Sequence, residues 1–264
     1  MLEILLVDDE PLLLESLEIV LTIKGGFKVI GTAGNGVEAL AILWVLTMLT
    51  AITTIILFPW PNCTFINWVQ KLWSRSFGWL LFLPTTVTGK ENIKPGQSYI
   101  FVANHQSMLD VWIIYGWLPV IFKWLMKAEL RKVPFVGSAC KAAGHVFVDR
   151  SSPMAAKRSL QEVEKALTNG ICTVIFPEGT RTPDGQVGRF KRGAFQIALE
   201  LNLPIIPISL TGCYEAMSIK SKYVTRHPIH MHIGEPIMPE QFNREDPHET
   251  MDMVRDIIIK NMRD

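Results

Sequence analysis

Charge is scarce in this chain. Only 19% of its 264 residues are charged while 48% are hydrophobic, against about a quarter charged in ordinary soluble proteins. From Ala39 to Gln70 no charged residue occurs, so association with a membrane is expected. Cysteine is sparse too: Cys63, Cys140, Cys172 and Cys213 are scattered with no C-x-x-C pair. That argues against a disulfide framework or a structural zinc site and leaves free thiols in a reducing compartment. The acidic start lacks the positive segment of a signal peptide, so no secretory leader is expected. The net charge of +1 is uneven, because residues 1–40 hold seven acidic and two basic residues and the remainder holds 24 basic against 18 acidic. A mild positive excess suits anionic lipid surfaces and phosphate-bearing ligands and does not indicate nucleic acid.

What is present is chemically pointed. The run Asn104-His105-Gln106-Ser107-Met108-Leu109-Asp110 and the later run Phe176-Pro177-Glu178-Gly179-Thr180-Arg181 supply a base, an acid to orient it and an anion clamp. Five helical steps of about 100° each cannot put His105 and Asp110 on one helical face. The apolar run Ser98 to Ala103 reads as a strand and Leu109 to Trp117 as a helix, which leaves His105 at the turn between them. From the first helical turn Asp110 reaches back to one imidazole nitrogen and leaves the other free to take a proton. The bland alternative is a histidine that caps the helix. In the second run Gly179 lets the backbone approach a ligand, and the Arg181 guanidinium can hold a phosphate in bidentate fashion. Glu178 either joins that site or orients Arg181 or a backbone amide. Lys191 and Arg192 stand at the start of an expected helix whose amide ends favour an anion.

The pair with its spacing and Phe-Pro-Glu-Gly-Thr-Arg resemble the glycerophospholipid acyltransferase family, most closely the 1-acyl-glycerol-3-phosphate (lysophosphatidate) acyltransferases. Four segments carry the resemblance in family order: Asn104 to Asp110, Gly144 to Arg150, Phe176 to Arg181, and Leu203 to Ile208. It implies that His105 and Asp110 are catalytic, with His105 deprotonating a lysophospholipid hydroxyl as that oxygen attacks a fatty acyl thioester. It further implies a phosphate site drawn from Arg181, Glu178, Gly179, Thr180, Lys127 and Arg150, to which Lys191 is added from its place at the expected helix start. No cofactor or metal is expected; acyl-CoA or acyl-carrier protein serves as co-substrate, lysophosphatidate as acceptor and the lipid bilayer as partner. His227, His230, His232 and His248 lack a carboxylate or cysteine to complete a metal set.

Three segments follow. Residues 1–40 resemble the start of a response-regulator receiver domain: a strand ending in Asp8-Asp9-Glu10, a helix over 11–24 and a second strand over 27–32. No aspartate occurs between Asp9 and Asp110, so the phosphoacceptor of such a domain is missing. Residues 41–83 read as a membrane-anchoring helical hairpin. Its first arm is uncharged to Phe58 and stopped by Pro59-Trp60-Pro61; its second, Thr64 to Leu83, is interfacial in character. A hairpin, similar to the two-helix anchor of the family, keeps both flanking segments on one side of the bilayer, whereas a single crossing separates them. Residues 84–264 read as an α/β catalytic domain, a mixed sheet flanked by helices. Strands are expected at 86–89, 99–103, 146–149, 172–176, 205–210 and 229–233. Ser152-Pro153 announces one helix and Asp246-Pro247-His248-Glu249 another with a capping box. The expected location is a membrane surface with the catalytic domain facing the cytoplasm. Rival functions are acylation of another lysophospholipid or glycerol-3-phosphate, a signalling module using the receiver-like fragment, and a hydrolase that turns His105 on water.

Overall fold

The structure is a computed structural model that describes residues 2–7, 27–33, 36–56, 64–133, 136–149, 152–167, 170–221 and 224–262. The chain forms two compact units, Met1–Thr50 and Ala51–Asp264. In the first, β1 (Leu2–Val7) pairs in parallel with β2 (Phe27–Ala33), with a register shift after Ile4. The helix expected over 11–24 and the acidic cluster Asp8-Asp9-Glu10 lie outside the described residues. Helix α1 (Gly36–Ile56) starts in this unit and runs past its end. Residues 36–40 and the uncharged residues 41–56 therefore lie in one helix.

In the second unit α2 (Thr64–Leu80) precedes a seven-stranded sheet. In chain order the sheet elements are β3 (Thr85–Thr88), β4 (Ile100–Ala103), β5 (Phe122–Lys127), β6 (Val146–Val148), β7 (Cys172–Ile175), β8 (Ile205–Thr211) and β9 (Ile229–Ile233). The helices between and after them are α3 (Leu109–Trp117), α4 (Val136–Ala142), α5 (Pro153–Ala166), α6 (Gly193–Leu201), the short α7 (Cys213–Ala216) and α8 (Pro247–Asn261). The strand order is β3-β9-β8-β4-β7-β5-β6, and every pairing is parallel except β8 with β9. The sheet is thus mixed and flanked by helices.

β4 explains why its sequence is an unbroken apolar run. Successive side chains point to opposite faces, so Tyr99, Phe101 and Ala103 enter one core with Leu109, Ile113 and Ile114 of α3. Ile100 and Val102 enter the other with Phe195 and Ala198 of α6 and Val254 and Ile258 of α8. Both faces are covered, so neither can be polar. α2 packs on α3 by specific contacts: Ser74 Oγ donates to the Trp112 carbonyl at 2.6 Å, Arg75 Nε to the Gly116 carbonyl at 2.8 Å, and Phe77 stacks on Trp112 at 4.0 Å. Among the described residues no helix is long and apolar enough to cross a membrane.

Three elements escape the sequence reading: β5, α4 and the short α7. β5 carries Lys123 as its second residue, buried, its ammonium donating to the Ala143 carbonyl at 2.6 Å. α4 is a short helix in which Gly137 lies so close to the Arg131 carbonyl that a Cβ would meet it at 2.2 Å. The capping box of α8 is half made: Asp246 accepts from the His248 amide at 2.9 Å, but Glu249 takes the Asn243 side-chain amide at 2.5 Å.

Candidate active site

β4 and β7 are parallel neighbours, so their carboxyl ends open on the same edge of the sheet. β4 has β8 on its other side, and this is where crossovers diverge and ligands bind in open α/β sheets. The chain leaving β4 passes through Asn104 to Ser107; the chain leaving β7 passes through Phe176 to Arg181. Asn104 prolongs the ladder by one step, its Nδ2 donating to the Leu210 carbonyl at 2.9 Å and its Oδ1 accepting the Leu210 amide at 2.8 Å. That fixes where the next residue, His105, begins.

The second loop clamps the His105 backbone from both sides. Its N–H donates to Glu178 Oε1 at 2.7 Å, and its carbonyl accepts from the Thr182 N–H at 3.1 Å. Its imidazole stacks on Phe176 at 4.0 Å and 12°, and Phe176 stacks in turn on Trp124 of β5 at 5.5 Å and 24°. With the ring plane held, Nδ1 lies 2.9 Å from Asp110 Oδ2. The same oxygen accepts from the backbone amides of Gln106 at 2.7 Å and Ser107 at 2.8 Å. The Asp110 side chain is 1% exposed and the His105 side chain 16%. Three donors on one oxygen compensate the burial of a carboxylate and leave the outward imidazole nitrogen available.

Glu178 is buried and both its oxygens are occupied, Oε1 by the His105 amide and Oε2 by the Gly188 amide at 2.9 Å. Burial pushes its carboxyl above the usual range, and those two amide bonds oppose the push. It joins the two loops through backbone and does not face solvent. Gly179 has φ +73°, a left-handed conformation that favours glycine, and the Lys191 ammonium comes so close that a Cβ there would lie 2.6 Å from it. Arg181 is half-buried and Thr180 exposed. Neither Arg181 nor Lys191 makes an ion pair among the described residues. Lys127 is the last residue of β5, and Arg150 lies outside the described residues.

A cleft of about 750 Å³ begins at His105. Trp124, Met126, Leu130, Val148, Ile175 and Ile197 give it an apolar wall, while Glu129, Asp149, Gly179 and Lys191 also line it. His105, Gly179 and Lys191 therefore share one space; Thr180 and Arg181 do not line it. Sequence reasoning missed Trp124 and the ring platform. The available signal was the pair of aromatics in the run Phe122 to Lys127, obscured by the lysine between them. His230 and His232 of β9 are engaged with Thr86 and Thr88 of β3 at 2.8 to 3.1 Å.

The arrangement has relatives. Residues 84–211 match the family model described as Acyltransferase. The 1-acyl-sn-glycerol-3-phosphate acyltransferase of Cocos nucifera is 30% identical over 223 residues, 83% of this chain and 72% of that protein. The human 1-acyl-sn-glycerol-3-phosphate acyltransferase alpha is 31% identical over 197 residues, 74% of this chain and 70% of the human one. Among solved structures, the crystal structure of the 1-acyl-sn-glycerophosphate (LPA) acyltransferase PlsC from Thermotoga maritima superposes with a TM-score of 0.66 at 28% identity, covering 84% of this chain and 95% of that one. Sequence along most of both chains and a shared architecture agree: this chain belongs to the 1-acyl-sn-glycerol-3-phosphate acyltransferase family.

Proposed function

We propose that the chain transfers a fatty acyl group from an acyl thioester to the free hydroxyl of lysophosphatidate, giving phosphatidate for phospholipid synthesis. The observation that carries this reading is the His105 and Asp110 pair at the head of an apolar cleft. With Nδ1–H donating to Asp110, the other ring nitrogen accepts the hydroxyl proton as the acceptor oxygen attacks the thioester carbonyl carbon. The carbon–sulfur bond breaks and the departing thiolate takes that proton from the imidazolium. Asp110 holds the tautomer and offsets the charge that forms on the ring. No acyl-enzyme is required, because the thioester is already activated.

The acceptor phosphate is held by cations next to this base. Arg181 and Lys191 supply charge, Gly179 and Thr180 let the backbone come close, and Lys127 and Arg150 complete the set, as the family resemblance implies. Glu178 serves the site indirectly, through the amides of His105 and Gly188. Acyl-CoA or acyl-carrier protein is the donor, and its chain occupies the apolar cleft. Residues 41–83 anchor the enzyme as a hairpin on the bilayer surface, with residues 84–264 catalytic and facing the cytoplasm and residues 1–40 a receiver-like addition. α2 supports the anchor through Phe65, Trp68, Leu72 and Trp79, all exposed.

The test is release of thiol from acyl-CoA, measured with and without labelled lysophosphatidate. Release that requires the acceptor, with label recovered in phosphatidate, is the expected result. Undiminished release without acceptor would identify a thioesterase instead.

A further inference from the structure

β5 is paired unequally. β7 pairs with it from Phe122 to Trp124, but β6 pairs with it only from Leu125 onward because β6 begins at Val146. The Trp124 amide meets not a strand carbonyl but the side chain of the residue before β6: His145 Nδ1 accepts it at 3.3 Å. An acceptor at Nδ1 places the ring proton on Nε2. Nε2 lies 3.4 Å from the Tyr115 hydroxyl, which itself donates to Gln70 Oε1 at 2.8 Å. The bonds thus run one way, from the Trp124 amide through His145 and Tyr115 to Gln70 of α2, and each donor finds an acceptor with a single tautomer. Burial, with the neighbouring Lys123 ammonium adding to it, pushes the His145 imidazole down to about 3 and keeps it neutral. The path continues beyond Trp124, whose ring stacks on Phe176 and so reaches His105.

We propose that His145 is a positioning residue for the transfer: with Tyr115 it fixes Trp124, and through the Phe176 ring the plane of His105, so that turnover depends on how α2 is seated. The inference rests on His105 being the base. Without the imidazole, the Trp124 amide and the Tyr115 hydroxyl lose their partners in a buried space and must shift to recover them. A shift in Trp124 passes through two stacked rings to the nitrogen that takes the proton, and small displacements of a base are costly to rate.

The test is steady-state transfer from acyl-CoA to lysophosphatidate by full-length variants whose unfolding is checked in parallel. His145→Ala is expected to lower kcat about tenfold with KM for both substrates within about twofold. His145→Gln, which offers an oxygen to the amide and an N–H to Tyr115, is expected to recover at least about half of that loss on a logarithmic scale. Tyr115→Phe is expected to cost about threefold, and adding it to His145→Ala is expected to cost little more, since both cut one path. A wild-type kcat in folded His145→Ala, a loss confined to KM, or a glutamine no better than alanine overturns the proposal. Should His145→Ala fail to fold, a wild-type kcat in Tyr115→Phe overturns it equally. His105→Ala assayed alongside separates the two claims. If it retains activity the base assignment fails, whereas an inactive His105→Ala beside a fully active His145→Ala removes only the positioning role.

Discussion

Asp110 Oδ2 accepts from His105 Nδ1, the Gln106 amide and the Ser107 amide, so its position is set by backbone as much as by the histidine it serves. An asparagine could keep the three donors on its oxygen but would carry no charge to balance an imidazolium. Asp110→Asn is therefore expected to lower kcat about 10²-fold or more while changing KM little, measured as phosphatidate formation at saturating substrates. Arg181 has the complementary role. Losing a charge-assisted bond to a phosphate costs about 1.5–3 kcal/mol, so Arg181→Ala is expected to raise KM for lysophosphatidate roughly 10- to 150-fold, with kcat less affected. An unchanged KM would place the phosphate elsewhere. The buried Cys213 thiol, pushed well up by burial and then by the Asp110 carboxylate, stays protonated beside this pair.

At the scale of elements, the starts of α5 and α8 were legible because their signals are local. Ser152 accepts from the Ala155 amide at 3.2 Å with Pro153 following, and Asp246 caps α8, as the sequence reading requires. β5 was not legible, because its defining residue breaks the apolar pattern. The Ala143 carbonyl takes the ammonium of the buried Lys123, and burial pushes that amine down to about 8; nothing in Phe122 to Lys127 announces a carbonyl some twenty residues on. The ring platform was hidden for the same reason, since Trp124 lies within β5 while Phe176 follows β7 and His105 follows β4. α2 makes a prediction of its own. Trp68 and Trp79 are each 58% exposed, rings of a kind that favour a lipid interface. Trp68→Ser with Trp79→Ser is expected to reduce sedimentation with anionic vesicles severalfold without moving the unfolding midpoint, and unchanged binding would remove α2 from the anchor.

Taken whole, the molecule combines a catalytic sheet whose motifs are contiguous in sequence with packing that is not. The two blocks of the candidate site were readable as motifs because each follows one strand end, and folding only brings those ends to one edge. The polar interior around His145 was not, since Gln70, Tyr115, Trp124 and His145 lie far apart along the chain. That interior has a global consequence. His145 titrates near 3 when folded and near 6.5 when unfolded, so between those values the unfolded chain binds the extra proton. Stability is lost as pH falls through that window, by at most about 1.4 kcal/mol per pH unit from this group. Denaturant midpoints measured from about pH 7 to pH 4 should fall less steeply for His145→Gln than for the parent, since glutamine does not titrate there. Equal slopes would mean that His145 is not held neutral.

The central claim is that one imidazole takes the acceptor's proton, and the rate of phosphatidate formation by His105→Ala at saturating lysophosphatidate and acyl-CoA tests it most directly. The account predicts a fall of about 10²–10⁴-fold in kcat with the fold intact. A rate within a few-fold of the parent would contradict it.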